Sequence, residues 1–214
     1  MDAPRDAFPI TKEKLMSGKP QYDEAVVIDA AIQVFWRHGY AAASISDLTE
    51  ATGLSRSSLY QRFRDKDGLF QVALATYTER VLRRMNSAEG STAREKLQAL
   101  LRGMLPVASP QRPPGCLLTR SCAERVDLPP AGQEAALDGV RRQREVLVDW
   151  LNEAVTGGEL PAEADVEALA WHFLGVCQAV LGLPQAGAGR EVLERMIEVA
   201  MGVWPVAARH GGHA

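Results

Sequence analysis

Cysteine is scarce in this chain: Cys116, Cys122 and Cys177 are the only three among 214 residues, and no two form a CxxC pair. An odd number of cysteines excludes a complete disulfide framework, so free thiols in a reducing compartment are the expectation. No stretch approaches the roughly 20 uninterrupted apolar residues of a membrane-spanning helix. The opening segment MDAPRDAFPITKEKL mixes acids, bases and prolines without the apolar run of a signal peptide, which argues against secretion. Together these absences predict a cytoplasmic protein with no membrane partner. The short motifs of common catalytic sites are missing too. His172 has no HExxH partner, no GxSxG elbow occurs, and no GxxxxGK phosphate loop is present. The chain therefore reads as a non-enzyme, and no metal site or cofactor is expected.

What is present is helical spacing almost throughout, in a chain whose 46% hydrophobic content can fill a real core. The expected fold is all-α. Residues 1–21 hold three prolines and no sustained period, and are expected to form a flexible arm. From Tyr22 the run DEAVVIDAAIQVFWRHGY sets Val27, Ala30, Ala31, Val34 and Phe35 three and four apart, one face of an amphipathic helix that Gly39 should end. Ser44 followed by Asp47 has the spacing of a capping box, and Gly53 stands where a helix of two turns would stop. Ser55 offers a second cap for a helix over Arg56 to Phe63, and Asp65 a third for a helix beginning near Asp67.

Two short helices joined through TGLS have the length and turn chemistry of a helix-turn-helix, whose second helix enters the major groove of DNA. Charge points the same way. Between Gly53 and Lys66 the chain carries Arg56, Arg62, Arg64 and Lys66 against Asp65, although its overall net charge is −3. A local basic patch on an acidic protein attracts a polyanion at one place only, and phosphate contacts supply most of the raw affinity.

The span GYAAASISDLTEATGLSRSSLYQRFRDKDGLF, Gly39 to Phe70, resembles the DNA-binding domain of the TetR family of transcriptional regulators. The Gly-Tyr after the first helix, the Ser before the second, the Gly-aliphatic-Ser turn, the Leu-Tyr-x-x-Phe of the third helix and the Lys-Asp-x-Leu opening the fourth all match in order and spacing. The resemblance implies residues 22–70 as the helix-turn-helix domain and 71–214 as a helical ligand-binding and dimerisation domain, with a connecting helix over about 67–86. It also implies roles for particular side chains. Arg56, Ser57 and Ser58, in the first turn of the recognition helix, and Gln61 would reach base edges, with Arg56 suited to bidentate pairing with guanine. Tyr60 and Lys66 would meet phosphates, as would Ser44 with its neighbouring backbone N–H groups. Ser55 and Arg62 complete the expected DNA-binding set. The family often carries His after the tyrosine, where this chain has Gln61.

Beyond Asn86 the sequence offers further helical runs, the last two around DVEALAWHFLGVCQAVLGL and REVLERMIEVAMGVW. Ala168, Trp171, Phe173, Leu174, Val176, Ala179 and Val180, with Leu193, Met196, Ile197 and Val203, form too broad an apolar face for one small bundle, while Gly175, Ala179 and Gly182 would let a partner helix approach closely. Either a helical interface with a second copy or a central buried helix fits this pattern. A recognition helix contacts few bases alone, and a two-fold dimer on a palindromic operator in double-stranded DNA resolves that shortage. The resemblance implies such a homodimer through the last two helices, and a small-molecule effector within the C-terminal bundle. Candidate pocket residues are Met104, Leu105, Leu117, Leu118, Trp150, Trp171, His172 and Gln178, which combine apolar surface with a few polar handles. Two alternatives remain: a thiol-based redox or electrophile sensor using Cys116 near Arg120, with Cys122 six residues on, or a helical sensor that acts through protein contacts without binding DNA.

Overall fold

The computed structural model describes residues 22–106 and 113–205. The arm expected over 1–21 lies outside the described residues. Among the described residues there is no strand, and nine α-helices follow one another: α1 Glu24–Ala42, α2 Ile45–Thr52, α3 Arg56–Phe63, α4 Lys66–Asn86, α5 Ala93–Gly103, α6 Leu117–Ala123, α7 Pro130–Thr156, α8 Val166–Gly182 and α9 Arg190–Met201. Short 3-10 turns, Arg125–Asp127 and Leu183–Ala186, follow α6 and α8.

The apolar residues gather into two cores. The first collects Val27, Ala31 and Phe35 of α1, Leu48 of α2, Leu59 and Phe63 of α3, and Leu69, Phe70 and Leu74 of α4. It continues past residue 70, taking in Leu117 and Leu118 of α6 and Ala136 of α7. The first four helices and those that follow them therefore share buried surface. The second core joins Met85 of α4, Leu97 and Leu101 of α5, Leu147 and Leu151 of α7, Phe173 and Leu174 of α8, and Leu193 and Ile197 of α9. Val81 on α4 and Val140 on α7 pack against both cores, which makes these two helices the struts of the molecule. Each large apolar side chain removed from water contributes about 1.5–3 kcal/mol.

The helical run of α1 breaks at Gly39, where its sequence predicts an end. Gly39 takes φ 79 and ψ 171, a kink that only glycine adopts without strain, and one more turn continues to Ala42. Gly68 has a different task. A Cβ there would lie 2.0 Å from the Phe63 carbonyl oxygen, so its bare Cα lets α4 start directly against the end of α3.

The broad apolar face expected on the last two helices is divided by the structure. Phe173, Leu174, Val180, Leu193 and Ile197 turn into the second core of their own chain. Ala168, Trp171, Gly175, Val199 and Val203 face outward, with Val176, Ala179, Gly182 and Met196 half-buried beside them. The segment Val166–Ala186 is long and apolar enough, at mean hydropathy 1.5, to cross a membrane by composition alone. Its apolar content is accounted for by the residues that α8 gives to the core and by this small-residue outer face.

Gly68→Ala is expected to destabilise the protein by about 1–3 kcal/mol, because the obstructing atom is backbone and cannot swing aside. Urea denaturation followed by circular dichroism measures it, and an unchanged midpoint would show that the α3–α4 turn relaxes freely.

Candidate nucleic-acid interface

Local hydrogen bonds fix each end of the two short helices. The Ser44 hydroxyl accepts from the Asp47 N–H at 3.1 Å, while the Asp47 carboxylate accepts from the Ser44 N–H at 2.9 Å, a complete capping box. Those bonds from Ser44 hold the Asp47 carboxyl below its usual range. Gly53, at φ 70, ends α2 in the left-handed conformation, its N–H donating to the Thr49 carbonyl at 3.0 Å. The Ser55 hydroxyl accepts from the Ser58 N–H at 3.1 Å and lies 2.9 Å from the hydroxyls of both Ser57 and Ser58.

Between those caps α3 is two-faced. Leu59 and Phe63 are buried in the first core, and the opposite side presents Arg56, Ser57, Tyr60, Gln61 and Arg64 to solvent. Arg56 reaches back to α2, its Nη2 donating to the Ser46 hydroxyl at 2.9 Å, which leaves most of its fork of N–H groups outward. Arg64 closes the helix at φ 71, a left-handed position unusual for a residue with a side chain. Asp65 then caps α4 by accepting from the Gly68 N–H at 2.8 Å.

An exposed, basic two-turn helix held on an apolar back and preceded by a capped partner is a helix-turn-helix reading head. Residues 27–73 match the family model of bacterial regulatory proteins of the tetR family, and residues 93–200 match the tetracyclin repressor-like C-terminal domain. The chain belongs to the TetR family. It is 29% identical to the HTH-type transcriptional repressor ComR of Escherichia coli over 199 residues, covering 90% of this chain and 94% of that protein. It is also similar to the HTH-type transcriptional repressor AcnR of Corynebacterium glutamicum, 25% identical over 184 residues, with 86% and 93% covered. Among solved structures it resembles a cysteine mutant of the TetR family regulator CifR complexed with 26-bp double-strand operator DNA, at 28% identity and TM-score 0.74, covering 88% of this chain and all of that one.

Within this TetR-family head the three expected phosphate contacts come together. Ser44, Tyr60 and Lys66 line one open concavity, together with Asp65 and Asp67. Lys66 is more occupied than the resemblance implies. Its ammonium donates to the carbonyls of Tyr40 at 2.9 Å and Ala43 at 3.1 Å and lies 4.2 Å from the centre of the Tyr40 ring. One of its three N–H bonds stays available for a phosphate. The Tyr40 hydroxyl donates to the Asp67 carboxylate, and burial together with that neighbour pushes the phenol above its usual range. Arg62 sits on the flank of α3, where its Nε donates to Glu24 of α1 at 3.2 Å.

The eight pocket candidates are not gathered into one cavity. Leu117 and Leu118 belong to the first core, while Met104, Leu105 and Trp150 pack in the second. Trp150 borders a small apolar cavity with Ala93, Leu97, Leu147, Phe173 and Trp204. Trp171 is 52% exposed, its Nε1 donating to Glu167 at 3.0 Å, and His172 is exposed beside it. Gln178 is half-buried and receives the Thr119 hydroxyl. Polar groups are buried as well, among them Gln143, whose amide donates to the Gly139 carbonyl at 3.2 Å, and Tyr77, whose hydroxyl lies 3.6 Å from the Cys116 sulfur. No pattern in the chain marks these.

Cys116, the N-cap of α6, is buried, as is Cys177, and Cys122 is half-buried. Burial pushes the thiol of Cys177 up to about 12 and raises that of Cys122. Arg120 is directed to Glu124, its Nε 2.8 Å from the carboxylate. Among the described residues no group of three His, Cys, Asp or Glu side chains is arranged to hold a metal ion.

Replacing Ser44 by Ala removes the acceptor that caps α2 and is expected to lower the melting temperature. Since the Asp47 pKa is depressed in the folded state, the carboxylate's share of the box is present above the ordinary carboxylate pKa and is lost as the pH falls through the lowered one, whereas the Ser44 hydroxyl's bond to the Asp47 N–H does not titrate. Thermal melts of the two proteins should therefore differ at neutral pH and still differ in acid.

Proposed function

We propose that two copies of this chain, joined through α8 and α9, bind a palindromic operator in double-stranded DNA in the cytoplasm, repress transcription by occupying it, and release it when a small molecule enters the C-terminal bundle. The observation that carries the reading is the outward face of α3, where Arg56, Ser57, Tyr60 and Gln61 stand exposed at helical spacing over a buried back. Such a helix reads three or four bases. Duplication by a two-fold axis, with recognition helices about 34–36 Å apart or a multiple of that, supplies the remainder of a specific site. The exposed apolar and small residues of α8 and α9 suit that axis: Val199 is 74% exposed, Val203 50%, and a Cβ added at Gly175 or Gly182 would meet nothing. A partner helix could approach closely there. The names of ComR and AcnR as repressors support repression over activation. Release by an effector requires only that it bind the DNA-free conformation better than the bound one.

Arg56→Ala is expected to cost about 1–3 kcal/mol on the operator and relax the preference at one base. Fluorescence anisotropy against the DNA flanking the gene and a scrambled duplex measures this, and equal losses on both would take Arg56 out of base reading. Val199→Asp is expected to convert dimers to monomers in sedimentation and to weaken operator binding with them. A monomeric variant that keeps full operator affinity would refute the α8–α9 interface.

A further inference from the structure

The kink of α1 is held by a residue of the other domain. Glu124 caps the C-terminus of α6, its own N–H donating to the Arg120 carbonyl at 3.0 Å, and its carboxylate accepts from the Tyr40 N–H at 3.2 Å. The approach is close enough that a Cβ at Gly39 would lie 2.3 Å from Oε2, so the carboxylate occupies the space that the missing side chain leaves. Arg120, one turn back, pairs with the same carboxylate. From the other side the Tyr40 peptide and side chain are bound to α4: the carbonyl accepts from Lys66, the ring meets Phe70 edge to face at 5.0 Å, and the hydroxyl reaches Asp67. One residue is thus bonded to Glu124 at the end of α6 through its N–H and to α4 through its carbonyl, ring and hydroxyl. Only four positions later Ser44 caps α2, and α2 carries the turn that aims α3.

An N–H bonded to a half-buried carboxylate is among the stronger and more directional bonds in a protein. Leu117 and Leu118 of α6 also meet the head in the first core, and just before α6 the Pro114 carbonyl accepts from the Trp36 indole at 3.1 Å. Apolar contacts tolerate sliding, whereas a hydrogen bond to a kinked backbone fixes an angle. We infer that Glu124 is a positioning residue for DNA recognition: it sets the angle of the reading head on the bundle and thereby the fit to two half-sites at once. This rests on the proposed dimeric operator reading. A pair of heads whose angles drift still finds phosphates on any duplex but no longer meets both half-sites in register, so selectivity falls while non-specific affinity stays.

The test uses the full-length chain and a duplex that the wild type itself selects from a random library, with a scrambled duplex as control. The ratio of the two dissociation constants is measured for Glu124→Ala, Glu124→Asp and Glu124→Gln. Loss of a hydrogen bond to a charged group predicts that Ala and Asp, which withdraw the acceptor, lower the ratio by about tenfold or more with scrambled-duplex affinity and helix content unchanged. Gln keeps an oxygen for the Tyr40 N–H and is expected to hold the ratio within about twofold of wild type. If Ala does not fold, Asp, which retains the charge and shortens the reach by one methylene, decides. Wild-type ratios in the folded variants overturn the inference. So does a parallel loss on both duplexes with a lowered melting temperature, since that is the behaviour of a merely structural cap. A loss in Gln as large as in Ala assigns the effect to charge and overturns the role of the hydrogen bond. If the wild type enriches no sequence, the operator reading itself fails, a result separate from all of these.

Discussion

The contact between α1 and α4 carries everything that the head does. Phe35 and Phe70, both fully buried, meet edge to face with ring centres 5.0 Å apart, and Trp36 meets Tyr77 in the same manner at 5.0 Å. Edge-to-face packing of this kind adds to the area buried and specifies an angle. The helices that do the reading could not stand without it. At eight residues each, α2 and α3 are shorter than the roughly 12–15 residues at which an isolated helix becomes marginal in water. Their geometry is borrowed from the wall formed by α1 and α4, onto which Leu48, Leu59 and Phe63 are pressed.

The cations of the head divide by task. Arg62 binds α3 to α1 through Glu24, and Lys66 gives two of its N–H bonds to carbonyls at the end of α1. These charges hold the head together before any nucleic acid arrives. Exposed ion pairs contribute little to stability individually, so the value of the Arg62 pair lies in orientation. Arg56 and Arg64 remain on the open face, and the hydroxyls of Tyr60 and Ser57 stand among them. A phosphate contact at Lys66 would add to an existing network and need not build a new one.

The parts of this architecture legible in the sequence were those governed by neighbours in the chain. Ser44 with Asp47, Gly53, Ser55 and Asp65 mark helix ends by chemistry that acts over three or four residues, and the helices fall where those residues put them. The exposed face of α3 follows from the same periodicity, because Leu59 and Phe63 can only point inward together. Contacts across the chain left no such trace. The Tyr40 N–H just past the Gly39 break is bonded to a carboxylate 84 residues away, and nothing near Gly39 announces that partner. Composition likewise could not say which side of α8 meets the core: Phe173 and Leu174 went inward, whereas Trp171, as apolar by type, lies against Glu167 with the Arg144 guanidinium 5.9 Å from its ring centre. The proposed pocket residues dispersed for the same reason. Their types were right for a ligand site, but type carries no direction.

The meeting of Gly39 with Glu124 has an evolutionary consequence. Two positions far apart in the chain occupy one small volume, so neither is free to vary alone: a side chain at 39 needs the carboxylate withdrawn, and a longer or bulkier group at 124 needs the glycine kept. Substitutions at the two sites should be strongly epistatic, since neighbours that share a contact do not add their effects. A lineage could reset the angle between the two parts of the molecule only by passing through both changes together. The junction thus ties the reading head to the helical bundle through two positions that must change together.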